Sequence, residues 1–189
     1  MFIQTEETPN PSSLKFFPGL PVLAKGVVEF KTEEAAKSGS PLAAALFRIN
    51  GVAGVFMTTD YITVTKDADQ DWAFLKAHIL ATLMTHFTSG LPVLHDAVGG
   101  ASVSDLSARN EADTALLLRI QDVLDMYVRP AVARDGGDIT LDSFEDGVLY
   151  VRMQGACSGC PSASATLKSG IENMLQTYVP EVIEVREAA

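Results

Sequence analysis

Two cysteines three positions apart, Cys157 and Cys160, are the only thiols in a chain of 189 residues. They stand in the run Gly155-Ala156-Cys157-Ser158-Gly159-Cys160-Pro161, where the proline suits the first position of a helix. The pair is therefore expected on a tight loop between a strand end and a helix start. Open amide N–H groups and the positive end of a helix dipole favour thiolate over thiol there, and thiolate is the form that binds metal. Two intervening residues let both sulfurs point at one ion or cluster edge. Gly155 and Gly159 let the backbone come close and donate N–H groups to sulfur. Residue type and spacing fit three chemistries: ligation of iron-sulfur or other soft metal, disulfide exchange, and half of a zinc site.

An iron-sulfur cluster or a tetrahedral zinc ion takes about four ligands, and one chain supplies two sulfurs. His78, His86 and His95 lie far upstream and are expected on helix or linker surfaces, so they do not complete the shell. Two chains giving two cysteines each would do so without any other ligand, with the cargo on a two-fold axis. A thiol-disulfide oxidoreductase of thioredoxin type would carry its motif after an early strand of a βαβ unit, whereas this pair comes late, after a hairpin. An intermolecular zinc bridge is the third reading.

Composition narrows the field. A net charge of −10, a pI near 4.6 and the lack of a Lys/Arg stripe exclude a nucleic-acid binder, which needs basic groups to displace counterions. The same charge repels anionic membranes, and no apolar run approaches the roughly 20 residues of a membrane span. Two cysteines are too few for a disulfide-stapled secreted scaffold. The opening residues have neither a signal peptide's apolar stretch nor an Arg-rich leader, so a cytoplasmic home is the default expectation, with the mitochondrial matrix the alternative for a processed chain.

The elements that would position the cysteines suggest a mixed α/β chain of the α+β kind in two small domains, residues 1–89 and 113–189, joined by a linker over 90–112. In the first, residues 2–6 and 14–17 read as short strands around Thr8-Pro9-Asn10-Pro11-Ser12. Ser40 before Pro41 starts a helix, 52–57 and 61–65 form a strand pair, and Asp71 caps a helix buried through Trp72, Leu75, Ile79, Leu83 and Phe87. The linker is small and polar, with room for a short helix over 104–109. In the second domain a helix with the stripe Leu116, Ile120, Val123, Leu124 and Tyr127 is interrupted by Pro130. It exits at Gly136-Gly137. A hairpin turning at Asp146-Gly147 leads into the cysteine loop, and a helix through Leu167, Ile171, Met174, Leu175 and Tyr178 returns to a strand over 182–185.

The run Met153-Gln154-Gly155-Ala156-Cys157-Ser158-Gly159-Cys160-Pro161-Ser162, with Ser164, Thr166-Leu167-Lys168 and Gly170-Ile171-Glu172, resembles the C-terminal domain of NifU-like proteins. Arg129-Pro130 and Arg134-Asp135-Gly136-Gly137-Asp138-Ile139 resemble that family's upstream signature. Thr8-Pro9-Asn10-Pro11 with Leu14-Lys15-Phe16 resembles the accessory N-terminal domain of the Nfu type. The resemblance implies a non-enzymatic carrier that receives a cluster, usually [4Fe-4S] with [2Fe-2S] left open, from a donor scaffold and passes it to client apoproteins. Cys157 and Cys160 would be the ligands, in a homodimer. Asp135 and Asp138 are expected to serve the loop's structure.

Overall fold

The computed structural model describes the backbone of residues 2–95, 111–158 and 161–188, with side chains over the same ranges except 111–114 and 161–167. The chain divides into two compact units, Met1–Ala101 and Ser102–Ala189. Most of the expected linker, including 104–109, lies outside the described residues.

The first unit is a five-stranded antiparallel sheet in the order β1-β2-β5-β4-β3, built from β1 (Gln4–Glu7), β2 (Ser13–Phe17), β3 (Val28–Phe30), β4 (Val52–Met57) and β5 (Ile62–Lys66). Helices α1 (Glu33–Gly39), α2 (Pro41–Phe47) and α3 (Trp72–Thr88) supply the rest of its core. Leu14, Phe16, Val55, Met57, Ile62 and Val64 from the strands meet Leu42, Leu46, Leu75, Ile79 and Leu83 from the helices. Ser40 starts α2 as expected: its hydroxyl accepts the Ala43 N–H at 3.0 Å, and Pro41 follows. The same hydroxyl donates to the Val93 carbonyl at 2.5 Å. Asp71 likewise accepts the Ala73 N–H at 2.9 Å. Two short elements, β3 and α1, have no counterpart in the sequence reading. Thr32 caps α1, accepting from Ala35 N–H at 3.2 Å. Its only fully apolar buried side chain is Ala36, too little for a visible period.

The second unit runs α4 (Glu111–Val123), a π-helical turn (Leu124–Val128), α5 (Arg129–Arg134), β6 (Gly137–Glu145), β7 (Val148–Gly155), α6 (Pro161–Tyr178) and β8 (Glu184–Glu187). Its sheet order is β6-β7-β8, antiparallel between the first two and parallel between the last two, with α6 as the crossover. The hairpin turns as expected on Asp146 (φ 50°) and Gly147 (φ 83°). The core joins Ile120, Leu124, Val128 and Val132 to Ile139, Leu149 and Val151 on the sheet and to Ile171, Leu175 and Val179 beyond it.

The expected stripe on the first helix needs correction at Tyr127. Pro130 has no N–H to give and would crowd the carbonyl four residues back in an α-helix. The chain answers with the π turn, in which Arg129 N–H reaches the Leu124 carbonyl five residues back. One residue is thereby inserted into the helical phase. Val128 takes the core position, and Tyr127 turns out, 40% exposed, to stack on Tyr178 with ring centroids 4.8 Å apart. Tyr178, also expected in the core, is 48% exposed, because the buried face of α6 runs through Ile171 and Leu175 to Val179 instead.

Candidate metal centre

Cys157 lies just beyond β7, and the hairpin determines its surroundings. Gly137 opens β6 opposite Gly155, which ends β7, so both strands terminate at one level. Gly136 holds φ +84° and its carbonyl accepts the Ala156 N–H at 3.1 Å, tying the helix exit to the cysteine loop. Gly137 is a glycine for another reason. A Cβ placed there would come within 2.8 Å of the Cys157 sulfur and 2.4 Å of the Gln154 carbonyl oxygen. The sulfur therefore occupies the space that a side chain at 137 would fill. Cys157 is 3% exposed and belongs to the apolar cluster of Ile139, Met153 and Ile171. Of the two glycines at the helix exit, only Gly136 takes the left-handed backbone.

Arg129 locks this end of the sheet to the helix. Its guanidinium donates to the Ile139 carbonyl at 3.1 Å, and it pairs with Asp125 at 2.7 Å and Asp138 at 3.4 Å. Burial holds the Asp138 carboxyl above its usual range, and the Arg129 charge works against that rise. Asp138 thus has a structural partner in Arg129. Asp135 closes α5, its N–H bonding the Ala131 carbonyl at 3.4 Å.

Cys160 and Gly159 lie outside the described residues; Pro161 follows as the first residue of α6, where its fixed φ is suited. Among the described residues no group of three or more His, Cys, Asp or Glu could hold a metal ion. His78 is exposed on α3, bonded to the Phe74 carbonyl at 2.8 Å, and His95 is exposed with its N–H on the Gly39 carbonyl at 3.0 Å. All three histidines belong to the first unit. His86 departs from the surface position expected of it: it is 5% exposed, and its buried Nε2 has no hydrogen-bond partner among the described residues. The cause is the segment 91–95, which folds back onto α1 and α2 through the His95 and Ser40 bonds and packs Val93 and Leu94 on the core. The spacing 75, 79, 83, 86 carried the signal, since it continues the buried face of α3. Burial lowers the His86 pKa, opposed by the carbonyls of Pro92 and Leu91.

Residues 3–90 match the domain family described as "Scaffold protein Nfu/NifU N terminal", and residues 120–186 match the "NifU-like domain". The chain belongs to the Nfu family. Proteins named "NFU1 iron-sulfur cluster scaffold homolog, mitochondrial" from Drosophila erecta and Drosophila yakuba are each 48% identical to it over 188 residues, 99% of this chain. The chain spans 65% of the length of those relatives. A solution structure of a NifU-like protein from Saccharomyces cerevisiae aligns with 51% of this Nfu chain and 86% of its own at 26% identity, TM-score 0.46. No helix among the described residues of this Nfu chain is long and apolar enough to cross a membrane.

Proposed function

We infer that this chain is a non-enzymatic iron-sulfur cluster carrier. Cys157 and Cys160 of one protomer and the same pair of a second hold a [4Fe-4S] cluster between them, and the homodimer passes it from a donor scaffold to client apoproteins. The observation that carries the reading is the setting of Cys157, on a loop tied to Gly136 and seated against Gly137, in a unit whose described residues offer no further ligand group. A soft sulfur donor with closely approaching backbone suits iron and sulfide, and the missing half of the shell comes from a second copy. The names of the relatives point the same way, and their mitochondrial designation favours the matrix over a cytoplasmic default.

Shared ligation also accounts for release. Each protomer contributes half the bonds, so client thiolates displace one pair while the other still holds the cargo. At 3% exposure the Cys157 sulfur must move outward to take up its share. A thiol so buried is poorly placed for disulfide exchange, which needs the attacking sulfur accessible.

Anaerobic reconstitution of the full chain with iron and sulfide tests the reading. About two irons per chain in a product of dimer size is expected for one shared four-iron cluster. Cys157→Ser and Cys160→Ser should each lose the iron while keeping the circular dichroism of the fold. Unchanged iron and sulfide in either variant, or a complete cluster on a single subunit without added thiol, would overturn it.

A further inference from the structure

The first unit ends its sheet on β1, whose outer row of N–H and C=O groups meets no further strand among the described residues. Sheet edges pair with any extended chain that fits, and proteins blunt them with short strands, charged side chains, proline or a cover. β1 reads Gln4-Thr5-Glu6-Glu7, short, without lysine or proline, and guarded by carboxylates alone, which repel acidic strands and not basic ones. Beside it opens a cavity of about 440 Å³. Its position follows from the register: Thr5 and Glu7 lie opposite Phe16 and Leu14, the core-facing positions of β2, so they point to the helix side. Pro9 and Pro11 form one wall and Leu14 contributes apolar surface below. Trp72 stands across, held by its indole N–H on the Pro11 carbonyl at 2.9 Å, with Lys76 one turn further along α3. Glu7 and Lys76 both line the cavity, and neither is in an ion pair among the described residues.

We propose that β1 and this cavity take an extended, basic segment of a partner protein as an added strand, with an apolar side chain against Pro9, Leu14 and Trp72 and a lysine or arginine facing Glu7. Strand addition draws affinity from main-chain hydrogen bonds and specificity from pockets for alternate side chains, and the edge and the cavity supply one each. Charge selects the partner. β1 carries a carboxylate on each face, with Glu6 59% exposed and already bonded to Lys15 at 3.2 Å, and it carries no cation. Opposite charges across strands attract and like charges repel, so a second copy of β1 would set acid against acid. Lys76 is left to donate to a main-chain carbonyl of the incoming segment.

Trp72 is the chain's sole tryptophan and reports directly on the cavity. The full chain is titrated with an acetylated Lys-Thr-Val-Thr-Lys amide, whose lysines and valine share one face of a strand as the cavity requires, while its emission is followed. A saturable shift is expected, with no shift for the Glu-Thr-Val-Thr-Glu counterpart. Glu7→Lys should weaken binding about tenfold, from the exchange of an attractive for a repulsive cross-strand pair. Glu7→Gln should fall between. Glu34→Lys on exposed α1 makes the same change in net charge and should cost less than about twofold, because a distant surface charge is screened. Circular dichroism confirms that each variant is folded. An equal response to a Lys-Pro-Val-Pro-Lys amide, which keeps the same face but whose prolines cannot donate to an edge, would overturn strand addition. Equal weakening by Glu34→Lys, or a Trp72 signal that never shifts, would overturn the site.

Discussion

At the scale of single residues, Gly137 and Cys157 share one space. Gly137→Ala drives a methyl toward the Cys157 sulfur and the Gln154 carbonyl, and overpacking of this kind costs about 1–3 kcal/mol. The expected outcome, in a Cys160→Ser background, is a lower urea midpoint together with faster labelling of Cys157 by a thiol reagent. Unchanged labelling would mean the sulfur does not use that space. His86 makes a pH prediction. Its folded pKa lies below the ordinary value near 6.5, so on acidification the unfolded chain takes up a proton that the folded chain refuses. Stability of the first unit should therefore fall from about pH 7.5 to about pH 5.5, and His86→Leu should flatten that slope in melting experiments. The cysteine pair was legible from the sequence because thiols at this spacing among glycines admit few chemistries. The role of Gly137 was not, since the atom that requires a glycine there lies twenty residues downstream and is brought close only by the hairpin register.

At the scale of elements, local chemistry was readable wherever the deciding partner is near in sequence. Ser40 and Asp71 cap the helices they precede, and Asp146-Gly147 turns the hairpin. Ser40 has a distant partner as well, the Val93 carbonyl, and no pattern announces it. Ser40→Ala should accordingly cost about 1–3 kcal/mol in the first unit, since the cap and a partly buried hydrogen bond are both lost. A midpoint shift typical of an exposed cap alone would count against the second bond. The π turn was illegible for a different reason. Pro130 announced an interruption, but whether the chain would break, kink or insert a residue depended on which side chain the core would accept, and it accepted Val128 over Tyr127. Arg129 spans the join between this helix and the sheet. Arg129→Met should destabilise the second unit by about 1–3 kcal/mol by leaving Asp138 half-buried without its cation. Adding Asp138→Asn should recover part of that loss, and a double-mutant cycle measures the share.

For the whole molecule, the division into two units was visible as a change to small and polar residues, and each unit closes its own apolar cluster. Residues 102–189 alone are expected to fold, giving a cooperative melt and the iron stoichiometry of the full chain on reconstitution. A non-cooperative melt of that fragment would show that the first unit is needed to complete it. The segment 91–95, read as the start of the linker, instead packs on the first unit, because Val93 and Leu94 find apolar surface on its core that composition alone does not reveal.

Under the proposed function, the burial of Cys157 would set the tempo of cluster uptake. A ligand that must first leave an apolar seat cannot meet its cargo at the frequency of collision; it meets it at the frequency with which the loop lets go. Uptake traces recorded against rising donor concentration should level off at a ceiling, and Gly137→Ala, by crowding the seat, should lift that ceiling. On that proposal an empty chain would keep the Cys157 sulfur out of reach of peroxide and stray metal, trading speed of loading for survival between deliveries.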